Sequence, residues 1–206
     1  MELLSIFGKL GLFTRSDFLD RDTCAQLRAD MRRSARAAAE VFAEAGSAVR
    51  ADIRRTQSID VHGRAVQQVA ERLEEIRGDL ERHFGWALDA CDDSEFLWYP
   101  TGGFYRPHRD RPLRADGAAA AASTRAVSVV VFLNDRSTHS DAFEGGALTF
   151  YGLVDEPRWR DVGLPLQPEE GLLVAFRSEL LHEVAPVEKG DRFTIVTWFP
   201  RADARE

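Results

Sequence analysis

The sequence predicts an α+β protein that is mainly β: an antiparallel jelly roll with N-terminal helices packed on one sheet. Helical patterns occupy the chain up to residue 94, and from Glu95 onward short β-rich runs separated by turn residues replace them. No helical pattern interrupts these runs, which is typical of an antiparallel sandwich or barrel. We therefore expect a single domain over residues 1–206, with a helical N-terminal support region at 1–94 and a jelly-roll core at 95–200.

Two helices are predicted in the support region. The first runs from Ser16 to Gly46, because Ser and Asp residues provide start signals, an Ala- and Arg-rich body follows, and a Gly provides the stop. The second begins after Gly63, where apolar residues recur at steps of three and four while Glu and Arg fill the opposite face. Its apolar positions are Val66, Val69, Ala70, Leu73, Ile76, Leu80 and Phe84.

The core contains seven predicted strands, and Val49–Ile59 is a candidate for one more. Three connections between strands are long: Pro112–Arg125, Asn134–Gly146 and Gly152–Gly171. Loops of this length are either lids over a cavity or plain surface insertions, and both interpretations stay open. The predicted strands lie near 95–100, 103–109, 127–133, 147–151, 172–176, 181–187 and 192–199.

The composition indicates a folded, soluble protein. The chain has 206 residues, of which 44% are hydrophobic and 30% charged, with a net charge of −7 and two Cys that form no CxxC motif. Neither an apolar run long enough to span a membrane nor a secretory signal is found. We therefore expect a cytoplasmic location and no membrane partner. An acidic charge balance also disfavours binding to a phosphate backbone, so we expect no nucleic-acid partner.

His108 and Asp110 form the first of two candidate ligand pairs. They are separated by one residue on a predicted strand, and alternation along a strand points both side chains to the same face. His182, at the start of another predicted strand, can supply a second imidazole, which completes the 2-His-1-carboxylate set typical of non-haem Fe(II). Each residue alone has an ordinary structural alternative: a surface pair bound to a nearby Arg, or a core histidine bonded to the backbone.

The second candidate pair, His139 and Asp141, lies in the run NDRSTHSDAFEGG, which is rich in turn residues. A mobile loop is a poorer scaffold for a metal than a strand, so we rank this pair below the first. The predicted metal ligands are therefore His108, Asp110 and His182.

Arg192 opens a predicted strand ten residues after His182. A guanidinium that enters a hydrophobic barrel needs a carboxylate partner, and Arg can bind one through two parallel hydrogen bonds. Alternation places Arg192, Thr194 and Trp198 on one face, so a cation, a hydroxyl and an aromatic wall would line a pocket for an anionic ligand. An exposed Arg at the end of a strand is the alternative interpretation.

Four motifs follow one another between Glu95 and Pro200. They are Tyr99-Pro-Thr-Gly-Gly-Phe-Tyr-Arg-Pro-His108-Arg-Asp110, Phe132-Leu-Asn-Asp135, Gly145-Gly-Ala-Leu-Thr-Phe150, and His182-Glu-Val-Ala-Pro-Val-Glu-Lys-Gly-Asp-Arg192 with Trp198 beyond it. In this order they resemble the Fe(II)/2-oxoglutarate dioxygenases of the prolyl 4-hydroxylase type. The resemblance covers about half of the chain. It implies that residues 1–206 are one dioxygenase domain with a catalytic core at 95–200.

The resemblance implies a double-stranded β-helix in which the predicted His-Asp-His set holds Fe(II). 2-Oxoglutarate is then expected to chelate the iron and to place its 5-carboxylate on Arg192, with Tyr99 nearby and Thr194 adding a hydrogen bond. The implied reaction consumes molecular oxygen, hydroxylates a C–H bond of a substrate, and releases succinate and CO2. Ascorbate is a further candidate cofactor.

The motifs do not specify the substrate, and a small molecule, a free amino acid and peptidyl proline all fit. We favour a small molecule, because the chain shows no peptide-binding module. Arg106 is the candidate substrate residue: it precedes His108 by two positions, so alternation turns it toward the metal-bearing face, where it would orient an anionic group. An exposed surface Arg is the alternative.

Other functions share part of this pattern. A cupin-like metal-dependent isomerase, or a non-catalytic metal-containing binding protein, would keep the metal ligands without needing a clamp for a keto acid, so Arg192 argues against both. Related halogenases replace the carboxylate ligand with a small residue, and the presence of Asp110 argues against that chemistry.

Overall fold

Three helices lie in the N-terminal region of the chain. The computed structural model describes residues 2–43, 46–48, 50–111, 124–136 and 141–202. The helices are α1 (Glu2–Lys9), α2 (Arg21–Arg33) and α3 (Arg64–Phe84). Within these ranges, no helix is both long enough and apolar enough to cross a membrane.

α3 is the second predicted helix. Its start after Gly63 and most of its apolar stripe are confirmed, whereas Val66 is only half-buried and Ala70 is exposed. The helix ends at Gly85, which adopts a left-handed conformation with φ of 74° that glycine accepts without a steric penalty. Its buried positions repeat at steps of three and four, as the sequence pattern predicts. They are Val69, Leu73, Ile76, Leu80 and Phe84.

The strands are short, and each of the seven predicted ones overlaps an observed strand. The candidate run at 49–59 contributes two strands, β5 and β6. The strands of the described residues are β1 (Phe13–Arg15), β2 (Arg36–Ala38), β3 (Val41–Ala43), β4 (Gly46–Ala48), β5 (Arg54–Arg55), β6 (Gln57–Ile59), β7 (Glu95–Tyr99), β8 (Phe104–His108), β9 (Arg125–Phe132), β10 (Glu144–Gly145), β11 (Leu148–Phe150), β12 (Leu164–Leu166), β13 (Leu173–Arg177), β14 (His182–Val184), β15 (Val187–Lys189) and β16 (Arg192–Pro200).

Two antiparallel sheets face each other and form the jelly roll. The larger has seven strands in the order β1-β13-β9-β16-β7-β6-β2, and the smaller has five in the order β12-β11-β14-β8-β5. Their inner faces share one buried apolar cluster, to which β9 contributes Phe132, β13 contributes Phe176 and β11 contributes Phe150. The predicted fold class is therefore confirmed, and the space between the sheets is the interior of the barrel.

The outer face of the larger sheet is covered by helices, as predicted. A second apolar cluster joins Leu27 of α2 and Leu73 of α3 to Val131 and Phe193 of the sheet. Because side chains alternate along β16, Phe193 faces the helices while its neighbour Arg192 faces the barrel interior. The helical layer thus supports the strand that carries the predicted anion-binding residue.

The first predicted helix is much shorter than expected. α2 begins after Asp20, whose carboxylate accepts a hydrogen bond from the Thr23 amide at 2.8 Å, and it ends at Arg33. The next residue is extended, and β2 then pairs with β6, with Arg36 opposite Ile59. Helix propensity of an Ala- and Arg-rich stretch is a weak local preference, and pairing with a distant strand overrides it here. α1 and β1 are also absent from the sequence-based prediction.

Candidate metal centre

His108, Asp110 and His182 converge inside the barrel. Among the described residues, they are the only group of three or more His, Cys, Asp or Glu side chains able to hold a metal ion, and their ligand atoms all lie within 4.8 Å of one another. Nε2 of His108 is 3.4 Å from Oδ1 of Asp110, and Nε2 of His182 is 3.8 Å from Oδ2 of Asp110. The structure therefore brings together the three residues that the sequence nominates.

Strand pairing explains why these residues meet. β8 and β14 are neighbours in the smaller sheet, and His182 lies directly opposite His108. Asp110 follows two residues after the end of β8. The three side chains are 15%, 13% and 5% exposed for His108, Asp110 and His182, so the cluster is shielded but not sealed from solvent.

A backbone carbonyl holds one edge of each imidazole through a hydrogen bond. Nδ1 of His108 lies 2.9 Å from the carbonyl oxygen of Arg106, and Nδ1 of His182 lies 2.9 Å from that of Leu180. A carbonyl oxygen only accepts, so each Nδ1 carries the proton and each Nε2 keeps a free lone pair. Both Nε2 atoms lie near the Asp110 carboxylate, so all three side chains present their lone pairs to one another, as metal ligands must.

The electrostatics favour the protonation states that metal binding needs. Burial alone would raise the pKa of Asp110, but the adjacent imidazoles and a hydrogen bond with Ser128 outweigh it and hold that pKa well below its usual range. Burial, followed by the nearby His108, lowers the pKa of His182 to about 4. At neutral pH the cluster therefore presents an ionised carboxylate and a neutral imidazole, the forms that bind divalent metals.

Of the second candidate pair, Asp141 forms ion pairs with the helical layer. His139 lies outside the described residues, whereas Asp141 is described and is bound by two arginines of α2. Arg28 Nε is 2.9 Å from its carboxylate and Arg32 reaches it at 2.8 Å. Asp141 therefore ties the loop after β9 to the helical layer.

Arg192 is a buried cation that has no acidic partner among the described residues. Its side chain is 1% exposed, its guanidinium lies over the rings of Tyr99 and Phe132, and Nη1 is 3.4 Å from the Thr194 hydroxyl. Nε has no hydrogen-bond partner, and no carboxylate within the described ranges forms an ion pair with Arg192. Burial lowers its pKa to about 10, opposed by the Tyr99 hydroxyl, so the group stays charged at neutral pH.

A buried guanidinium without a counter-ion is costly, and a small anion inside the barrel would remove that cost. Gly146 leaves room beside Arg192, because a Cβ at that position would lie 3.0 Å from Arg192 Cδ. Thr194 lies next to the guanidinium, as alternation predicts, and so does Tyr99, as the family resemblance implies. This end of the barrel therefore fits a carboxylate such as that of a dicarboxylic keto acid.

Trp198 lies on the predicted face but far from Arg192. Six residues along a strand correspond to about 20 Å, which places the indole at the other end of β16. There it is opposite Ser128, and the guanidinium of Arg125 covers its ring with Cζ 3.4 Å from the centroid. Because Ser128 also hydrogen-bonds Asp110, Trp198 lies toward the metal ligands and not beside Arg192, and a role for it in binding the co-substrate stays a prediction.

Arg106 does not point toward the metal-bearing face. β8 carries one extra residue, since His108 pairs with His182 but Tyr105, not Arg106, pairs with Val184. The bulge reverses the alternation, so Arg106 is exposed and its Nε donates to the Asp52 carbonyl at 2.8 Å. The predicted orientation is wrong for this reason.

The same bulge turns Tyr105 inward, a residue that sequence reasoning missed. Its ring lies parallel to that of His108, with centroids 3.5 Å apart and planes at 15°. A signal for this was present in Pro107, because proline within a strand is confined to edges, first positions and bulges.

Comparison with known proteins assigns the chain to a family. The model of the 2OG-Fe(II) oxygenase superfamily matches residues 94–200. PKHD-type hydroxylases of Synechococcus elongatus and of a second Synechococcus strain are each 36% identical over 103 residues, which are 50% of this chain and 40% of each relative. The matched stretch thus spans less than half the length of these curated relatives.

Solved structures agree with the fold. A prolyl-4-hydroxylase of Pseudomonas putida superposes with a TM-score of 0.68 and 28% identity, covering 93% of this chain and 92% of that one. A Trichoplax adhaerens prolyl hydroxylase in complex with a hypoxia inducible factor peptide has a TM-score of 0.73 at 19% identity, with 98% and 89% coverage, and supports the fold alone. Since the matched region exceeds half of the chain and contains the three converging ligands and Arg192, the chain belongs to the 2OG-Fe(II) oxygenase superfamily.

Proposed function

We propose that this protein is an Fe(II)- and 2-oxoglutarate-dependent dioxygenase that hydroxylates a C–H bond of its substrate. Arg192 is the observation that carries the proposal: a fully buried cation without an acidic partner among the described residues, inside the same barrel as three convergent metal ligands. His108, Asp110 and His182 would hold the iron. When bound, iron with 2-oxoglutarate and oxygen supplies the oxidation: one oxygen atom enters the substrate, the other enters succinate, and CO2 leaves.

The residues around Arg192 bind and orient the co-substrate in this proposal. The guanidinium pairs with the 5-carboxylate, and the hydroxyls of Thr194 and Tyr99 lie beside it as additional hydrogen-bonding groups. A charge-assisted bond of this kind, formed away from water, both orients the keto acid and contributes strongly to its affinity. The proposal thus explains why an uncompensated cation is retained in an apolar interior.

Aromatic side chains limit the access of water to the metal. The Phe176 ring meets His182 edge-on with centroids 4.6 Å apart, and the Phe150 ring lies 6.3 Å from it. Excluding water strengthens the electrostatic contacts inside the site and suppresses side reactions of a strong oxidant. These two residues therefore protect the chemistry without taking part in it.

The substrate is proposed as a small molecule or an amino acid, either free or as a peptidyl proline. We also propose that the enzyme acts in the cytoplasm, and its acidic composition supports the proposal that it binds neither nucleic acid nor an anionic membrane surface. We also propose that residues 1–94 form the support region of a single domain whose catalytic core is 95–200, and that ascorbate keeps the iron reduced.

Succinate production tests the proposal directly. Purified protein is incubated with Fe(II), 2-oxoglutarate and air, with and without candidate small molecules, amino acids and prolyl peptides. We expect Fe(II)-dependent succinate, stimulated by one substrate class, in equal amount to a product one oxygen atom heavier. A metal-dependent conversion that leaves the substrate mass unchanged and consumes no 2-oxoglutarate would instead identify a cupin-like isomerase.

A further inference from the structure

His108 is covered by a stack of two further side chains. Its imidazole lies parallel to the ring of Tyr105 at van der Waals distance, which leaves no room for another group on that face of the phenol. The guanidinium carbon of Arg54 lies 4.8 Å from the Tyr105 centroid and therefore covers the opposite face. The order of the stack is Arg54, Tyr105, His108.

The outer member of the stack is held from two sides. Arg54 belongs to β5 and lies directly opposite Tyr105 in the pairing of β5 with β8. Its Nη1 donates to the Glu40 carbonyl at 2.9 Å, and its Nη2 is 3.7 Å from a carboxylate oxygen of Glu95. The Arg54 side chain is 9% exposed, so the stack is shielded from solvent.

The stack restrains a motion that the backbone hydrogen bond leaves free. The bond from Nδ1 of His108 to the Arg106 carbonyl fixes one edge of the ring, but the ring can still tilt about that bond. His182 has no such freedom, since Phe176 and Phe150 surround it. The parallel Tyr105 ring gives His108 the corresponding restraint on its more exposed side.

We propose that Arg54 and Tyr105 are positioning residues that hold the His108 imidazole in the orientation required for metal binding. The inference rests on the proposed function, because it assumes that His108 is a metal ligand. β5 lies outside the region that matches the family model, residues 94–200. The segment before that region would therefore take part in assembling the metal site.

Metal affinity tests this without relying on turnover. Mn(II), a stand-in for Fe(II) that air does not oxidise, is titrated into the full-length protein and followed by electron paramagnetic resonance. Tyr105→Leu and Arg54→Leu should weaken Mn(II) binding by about 10–100-fold, the range seen when a group that orients a ligand is lost. Tyr105→Phe keeps the ring and should restore affinity to within about twofold of the parent protein.

Arg55→Leu is the matched control, because Arg55 is the next residue of β5 and lies over Phe104 with Cζ 6.0 Å from that ring. Its affinity for Mn(II) should stay within about twofold of the parent. Circular dichroism melting checks that each variant is folded. If Tyr105→Leu does not fold, the Mn(II) affinities of Arg54→Leu and Tyr105→Phe still test the proposal. Parent-like affinity in folded Arg54→Leu would overturn the proposal, as would equal losses in Tyr105→Phe and Tyr105→Leu. If Mn(II) binding depends on the stack but the protein forms no succinate, the proposed function is refuted and the positioning role of Arg54 and Tyr105 is not.

Discussion

Replacing Arg192 with leucine should make the protein without co-substrate more stable and at the same time unable to respond to 2-oxoglutarate. Burial lowers the pKa of Arg192 from 12.5 to about 10. At about 1.4 kcal/mol per pKa unit, keeping this group charged costs the folded protein about 3 kcal/mol. Leucine removes that cost, which already includes the opposing contribution of Tyr99, together with the hydrogen bond to the Thr194 hydroxyl, which contributes about 1 kcal/mol.

The expected gain is therefore about 2 kcal/mol in the free energy of unfolding, or about 4–8 °C in Tm for a chain of this length. 2-Oxoglutarate should behave in the opposite way. Added to the Mn(II)-loaded parent protein at 100 times its Kd, it should contribute about 2.7 kcal/mol and raise Tm by about 5–10 °C. In Arg192→Leu, losing one partner of a buried charge pair costs about 3–5 kcal/mol, which weakens the affinity for 2-oxoglutarate by about 10²- to 10⁴-fold.

Thermal unfolding followed by circular dichroism, with and without 2-oxoglutarate, measures both effects in one experiment. Arg177→Leu is the control, because Arg177 is an exposed arginine in the same sheet and should change neither quantity. An Arg192→Leu protein that melts well below the parent and is still stabilised by 2-oxoglutarate would refute the reasoning on both counts.

Four other substitutions probe the remaining parts of the site. His182→Ala should weaken Mn(II) binding by more than about 100-fold, while His139→Ala leaves it unchanged. The reverse pattern in the titration would show that His139, and not His182, binds the metal. Gly146→Ala should raise the KM for 2-oxoglutarate about tenfold, because the new methyl group would lie 3.0 Å from Arg192 Cδ and displace the guanidinium. The backbone φ of 61° also costs alanine about 1–2 kcal/mol of fold stability, with or without 2-oxoglutarate. An unchanged KM would show that Arg192 has room to move. Arg106→Gln should leave both metal affinity and turnover at parent levels, since the side chain points outward. A loss confined to substrate-dependent turnover would instead support a role for Arg106 in substrate binding.

The metal ligands were predictable because their arrangement follows from local rules. His108 and Asp110 belong to one short stretch of chain, and the ligand chemistry of the residue types pointed to His182 as the third member. Arg192 was similarly accessible, because alternation along a long, regular strand determines which face it occupies.

Predictions failed where a non-local or irregular feature decides the outcome. Alternation assigned Arg106 to the interior, but one inserted residue exchanged it with Tyr105. Trp198 lies on the predicted face, but six residues of strand separate it from Arg192, a distance that alternation alone does not express. The stretch after Arg33 has a helical sequence pattern. It forms a strand because β6, more than 20 residues away, takes its backbone hydrogen bonds.

Because β8 pairs directly with β14, an ion bound at this site would also stabilise the fold. An ion held by Asp110 and His182 would close the intervening chain into one large loop, in the manner of a cross-link. In the chain-entropy description, a covalent link across a loop of comparable size stabilises a fold by about 4 kcal/mol. The two strands that carry the chemistry would then be the ones that open most readily when the ion is removed, and amide exchange in β8 and β14 should accelerate on chelation.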